Sequence, residues 1–141
     1  MKFIVDTTVL SEMRKGRRAD EAFQLWSGSV DRRDIALSVI TLFELQKGEM
    51  LARRRDDRLA AALRHWIEEI VLPTFADRIL AVDSVVATRC AALHVPRTRP
   101  LADSLIAATA LVHDLVVVSR NEIDFLPMGV PLLNPWTLTS P

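Results

Sequence analysis

Short β-branched runs alternate with longer stretches of helical spacing from one end of this chain to the other. The runs are KFIVD at the start, DIALSV, RILAVD, LVVVS and VPLLN. Such continuous apolar runs suit strands buried on both faces. Between them, TTVLSEMRK and ADEAFQLWSGS read as two short helices, the first stopped at Gly16. Residues 41–55 and 57–72 read as longer helices. In the second of these, Leu59, Leu63, Trp66, Ile67 and Ile70 form the apolar stripe and Pro73 is the stop. SVVATRCAALHV, ended by Pro96, and RPLADSLIAATA are further helices, and NEIDF is a turn or a short helix. Strict alternation of this kind predicts an α/β fold: a mostly parallel five-stranded sheet flanked by helices on both faces. Pro131 places the fifth strand at an edge.

A length of 141 residues suits one domain, and the expected unit is 1–141. Charged RRRDDR, Arg53 to Arg58, reads as a solvated helix junction rather than a boundary. The formal net charge is zero, so a polyanion-binding surface has to be a local basic patch. Cys90 is the one cysteine, which excludes a disulfide framework and a cysteine metal site. It reads as a small core residue in a reducing, cytoplasmic setting. No signal peptide is visible, and no run approaches the roughly 20 apolar residues that span a bilayer.

Four acids do not fit the apolar pattern around them. Asp6 ends the first strand, where ligands of open α/β sheets collect; its simpler role is a helix cap. Glu44 lies in ITLFEL, where Thr41 and Glu44 also spell a capping box. Asp103 stands three residues after Pro100, where an acid favours the positive end of a helix. Asp124 and Asn121 follow the fourth strand in VVVSRNEIDF, where turn residues are ordinary. If the first and fourth strands are neighbours, these side chains meet in one crevice. Two like charges about 5 Å apart repel by roughly 3 kcal/mol at an effective dielectric of 20, so protons or a divalent cation must relieve them. Oxygen-only ligands suit Mg²⁺ or Mn²⁺ rather than zinc, and His65, His94 and His113 are scattered singly.

The stretches FIVDTTVLSE, SVITLFELQKG, RPLADSLIAATALVHDLVVVSRNEIDF and LLNPW resemble the PIN-domain ribonucleases, and within them the VapC/FitB branch of type II toxin–antitoxin toxins. The resemblance covers almost the whole chain in order. It implies a PIN-like fold and a Mg²⁺- or Mn²⁺-dependent endoribonuclease that hydrolyses RNA phosphodiester bonds with a metal-activated water. The family's first three acids fall on Asp6, Glu44 and Asp103. Its fourth falls on Asp124, with Asn121, Thr7 and Ser119 as polar helpers, although some members carry the acid where Asn121 stands. Asp6 and Asp103 are then direct metal ligands, and Glu44 and Asp124 act through water or orient the nucleophile. Many relatives read Asp-Thr-Asn where this chain has Asp6-Thr7-Thr8, which leaves the amide's task unfilled, and many carry Thr in place of Ser119.

RNA is held by its backbone, and the candidate contacts are Arg14, Lys15 and Lys47, with Arg17, Arg18 and Arg53–Arg55 behind them. Trp26, Trp66 and Trp136 are core residues or base-stacking platforms. The resemblance also implies a homodimer, or a dimer of toxin–antitoxin heterodimers, inhibited by a small VapB-like antitoxin. Three other readings compete. A nuclease of RNA processing without a toxin role has the same site. A phosphotransferase of the haloacid dehalogenase type needs an acid at Thr8. A receiver-like module needs an acidic pair near the first strand and a lysine after the last, but Asp6 has no acidic neighbour and no lysine follows Lys47.

Overall fold

In the computed structural model, which describes residues 1–137, the five runs form one sheet in the order β3-β2-β1-β4-β5. The strands are β1 (Phe3–Val5), β2 (Ile35–Ser38), β3 (Ile79–Leu80), β4 (Val116–Val118) and β5 (Leu132–Leu133). Every pairing is parallel. The last residues of the expected 1–141 unit, 138–141, lie outside the described residues.

Side chains alternate across the sheet. Val5, Ile35, Leu37 and Val118 enter one core. Ile4, Ala36 and Val117 enter the other. The first core is covered by α1 (Thr7–Arg14), α2 (Glu21–Ser29) and the hydrophobic positions Leu45, Ile67, Val71 and Phe75. The second is closed mainly by α7 (Leu101–His113), whose Ala107 and Ala110 are fully buried. Small side chains let that helix lie close on the strands. α6 (Ser84–Leu93) packs behind it through Val86 and Cys90 against Ala108.

Aspartates open four of the eight α-helices among the described residues. Asp6, Asp20, Asp56 and Asp83 accept the N–H of Val9, Phe23, Leu59 and Val86 at the starts of α1, α2, α4 (Asp57–Trp66) and α6. Each satisfies a donor that the first helical turn leaves free.

Four local expectations are corrected. The helix expected at 41–55 is α3, Val39–Ala52, and its cap is Ser38, which accepts from Ile40 N–H at 3.0 Å. Thr41 and Glu44 therefore lie inside the helix and form no capping box. Pro73 does not stop the helix expected at 57–72. The chain widens into a π turn over Ile67–Val71, where Leu72 N–H reaches the Ile67 carbonyl, and resumes as α5 (Leu72–Phe75). Pro73 then sits in a first turn, where its missing N–H leaves no bond unmade. The apolar stripe is also narrower than its spacing predicts: Ile67 is buried, but Leu59 and Ile70 are exposed, and Ala60 takes the inner face. The third strand shrinks from RILAVD to Ile79–Leu80.

The order of strands places the reversal of the chain's progress between β1 and β4. Their pairing runs Phe3 to Val116 through Val5 to Val118. The Asp6 N–H continues the ladder to the Val118 carbonyl at 3.2 Å. Asp6 and Ser119 thus leave adjacent strands side by side, at the crevice where such sheets bind ligands.

Candidate metal centre

Asp6 is 5% exposed. A carboxylate so enclosed needs donors on both oxygens. Oδ1 accepts the Val9 N–H at 3.0 Å and the Thr8 hydroxyl at 2.7 Å. Oδ2 accepts the Ser119 hydroxyl. The cap expected of Asp6 is present, and the same side chain reaches Ser119 at the crevice beyond β1 and β4. Thr8, the position where the sequence departs from Asp-Thr-Asn, gives its hydroxyl to Asp6.

Ser119 is fully buried at the end of β4. While donating to Asp6 it accepts the Asn121 N–H at 2.9 Å. The Asn121 side chain then turns its amide nitrogen to two carboxylates: Asp103 Oδ2 at 3.0 Å and Asp124 Oδ2 at 2.8 Å. Asp103 projects from the first turn of α7, and Asp124 from α8 (Glu122–Phe125). Glu44 comes in from α3, half-buried, and accepts the Thr7 hydroxyl at 2.8 Å. One chain of contacts therefore joins Thr8, Asp6, Ser119, Asn121, Asp103 and Asp124, and Thr7 ties Glu44 to the same helix start.

The electrostatics report the convergence directly. Asp103 is pushed up to about 6, first by burial, then by the charges of Asp124, Asp6 and Glu44, against the Asn121 bond that favours its ionised form. Three acids from three other parts of the chain thus all act on one carboxyl. The amide of Asn121 stands between two carboxylates, where positive charge is most stabilised. Among the described residues no three acid, His or Cys side chains already close as a metal cage; hydroxyls and the amide occupy the inward oxygens instead. The donor set is all oxygen, which fits a hard divalent cation and not zinc.

The remaining candidates lie outside this network. Arg14 and Lys15 are exposed at the far end of α1, about 12 Å along the helix from its start at 1.5 Å per residue. Lys15 is tied back to Glu12 at 2.9 Å. Lys47 lines a groove between α3 and α7 together with Glu44, Phe43, Leu51 and Leu101. Arg53 turns to the buried Glu49 at 2.7 Å. Trp26 is buried, and Trp66 and Trp136 pack at the edge of the same core. His65 and His113 are exposed. His94 bonds Ser104 at 2.8 Å. Asp83 follows β3, an edge strand, and caps α6.

Comparison with known proteins agrees with this architecture. The PIN domain family model matches residues 3–126. Toxin FitB of Neisseria gonorrhoeae is 34% identical over 138 residues, spanning 94% of this chain and 97% of FitB. VapC ribonuclease Y4jK of Sinorhizobium fredii is 31% identical over 138 residues, spanning 94% of this chain and 96% of that relative. The crystal structure of FitAcB from Neisseria gonorrhoeae superposes with a TM-score of 0.87 at 33% identity, covering 96% of this chain and 99% of that one. With a parallel sheet that reverses direction between β1 and β4, and acids gathered at that reversal, the chain belongs to the PIN-domain family, in its VapC/FitB-like branch.

Proposed function

We propose that residues 1–141 act as one PIN unit, a divalent-metal-dependent endoribonuclease that serves as the toxin of a VapBC-type pair in the cytoplasm. The observation that carries the reading is the convergence of Asp6, Asp103, Asp124 and Glu44 at the β1–β4 reversal, linked through Ser119, Asn121 and Thr7. Mg²⁺ or Mn²⁺ bound there lowers the pKa of a water and offsets the charge that develops on the phosphate. Asp6 and Asp103 would hold the ion directly. Asp6 is held rigid by its three donors, and Asp103 is the acid that gains most from a neighbouring positive charge. Glu44, set by Thr7, and Asp124, set by Asn121, orient the attacking water. RNA is the substrate class, since a phosphodiester polyanion approaches this crevice once its charge is inverted.

The partner is a small VapB-like antitoxin, in a homodimer or a dimer of toxin–antitoxin heterodimers. Phe43, Met50, Leu51 and Leu101 are all at least half exposed along α3 and the start of α7. Apolar side chains gathered beside a site in this way favour a protein partner. Among the described residues no helix is long and apolar enough to cross a membrane.

The test is RNA cleavage by purified protein with Mg²⁺ or Mn²⁺, beside Asp6→Asn and Asp103→Asn. Both variants stay folded and lose activity. Equal cleavage by either variant removes that residue from the site. Growth arrest on expression, relieved by the product of a neighbouring small reading frame, separates a toxin from a nuclease of RNA processing.

A further inference from the structure

Arg120 lies between two members of the acid network and joins neither. Both groups of the peptide that follows it are held: the Asn121 N–H is bound to Ser119, and the Arg120 carbonyl accepts the Glu122 N–H at 3.0 Å. The backbone is therefore pinned where the side chain leaves it. That side chain is exposed, and no carboxylate among the described residues pairs with it. Its guanidinium instead lies 5.3 Å from the centroid of the Trp136 ring.

Trp136 is a fixed platform. Its ring tilts against buried Phe23 with centroids 5.1 Å apart, and its backbone N–H donates to the Asn134 side chain at 3.0 Å. A guanidinium stacked by its face keeps its edge donors for another ligand. Stacking also orders a long side chain in advance, so less entropy is lost when that ligand binds.

The network itself offers a polyanion only acids, hydroxyls and one amide. Even with its charge inverted by a cation, the acidic crevice accounts for a single phosphate. The next phosphate of a strand needs a cation of its own at the rim. Arg14 and Lys15 are a helix length away, and Arg120 is one residue from the network on either side.

We infer that Arg120, stacked on Trp136, is a binding residue for the RNA backbone that grips a phosphate neighbouring the scissile one. This rests on the ribonuclease reading above. The planar fork of the guanidinium matches two phosphate oxygens, which a lysine ammonium does not.

The experiment compares wild type with Arg120→Gln and Arg120→Lys in steady-state cleavage of a short single-stranded RNA across a salt series. Anisotropy of the same labelled RNA in Ca²⁺ reads binding separately. For Arg120→Gln, KM and the dissociation constant rise about tenfold, as expected for loss of one charged hydrogen-bonding pair. kcat stays within about twofold, and the melting temperature does not move. The slope of log K against log salt shrinks by about 0.7, one phosphate contact on a single strand. Arg120→Lys restores the slope but only part of the affinity. Wild-type KM, binding and salt slope in Arg120→Gln overturn the inference. So does a collapse of kcat at unchanged KM, which places the residue at the reacting group. If wild type itself neither binds nor cleaves RNA, the ribonuclease reading fails first and this inference with it.

Discussion

The Ser119 hydroxyl donates to Asp6 across 113 residues of sequence. The bond exists because β1 and β4 are neighbours, and it closes the network at the one place where the chain reverses its progress through the sheet. Serine accepts the Asn121 N–H with the same oxygen. A single hydroxyl thus fixes both the first acid and the amide that bridges the third and fourth. Ser119→Ala removes the donor from a buried carboxylate, and each such bond to a charged group contributes about 1.5–3 kcal/mol. The variant should be destabilised by about that amount in thermal melting and should cleave RNA poorly, while Ser119→Thr keeps both properties. Equal stability of Ser119→Ala and wild type would show that Asp6 draws enough from Val9 and Thr8.

Asp103 gives the pH dependence. Its carboxyl stands at about 6 in the fold and at 3.8 when unperturbed. Between those values the folded protein binds more protons than the unfolded one, so metal-free stability falls as pH rises from about 4 to about 6 and levels off above. Asp103→Asn removes the charge while its side-chain oxygen can still accept from Asn121. In EDTA it should be more stable than wild type above pH 6, by about 1–2 kcal/mol after allowing for partial solvent screening, with that difference opening over the pH 4–6 window. A stability difference between the two proteins that does not grow through that window contradicts the burial and crowding of Asp103.

Metal should reverse this order. An ion that binds only the folded state adds stability in proportion to its saturation, about 2.7 kcal/mol at a hundredfold excess over its dissociation constant. Wild type should gain that from Mn²⁺ near pH 7.5 and progressively less below pH 6, where protons compete for Asp103. Asp6→Asn and Asp103→Asn should gain little. Equal gains in all three proteins would place the ion elsewhere.

Much of this was legible in the residues, for physical reasons that also mark where legibility stopped. Continuous apolar runs such as FIV and VVV announce buried strands without any neighbour information, and the Asp6 end of the first run marks the ligand edge. The pairing of β1 with β4 was conditional, because no local signal in either strand names its partner; tertiary order does. Thr41-x-x-Glu44 misled because the same four residues satisfy a local cap and a helix interior, and Ser38, the last residue of β2, reached the Ile40 N–H first. Pro73 misled because a π turn, which has no composition of its own, carries the chain past it. Arg53 was read as a basic surface, whereas the buried Glu49 between Arg53 and Arg64 holds it to the α3–α4 packing. Long basic side chains are chosen by distant acids that spacing does not reveal.

The two hydroxyls at the start of α3 make opposite predictions, and together they test where the helix begins. Ser38 is fully buried and satisfies the Ile40 N–H, so Ser38→Ala should cost about 1–2 kcal/mol, the usual loss for a cap. Because Glu44 rides on this helix, the loss should carry a fall in cleavage as well. Thr41 is equally buried, but its hydroxyl has no partner among the described residues. An unpaired buried hydroxyl is a cost already carried by the fold, of about 1–3 kcal/mol. Thr41→Val keeps the shape and removes that cost, so it should leave activity intact and raise stability by about 1 kcal/mol. A capping role for Thr41 predicts the reverse, with Thr41→Val destabilising and Ser38→Ala neutral, and paired melting curves decide between them.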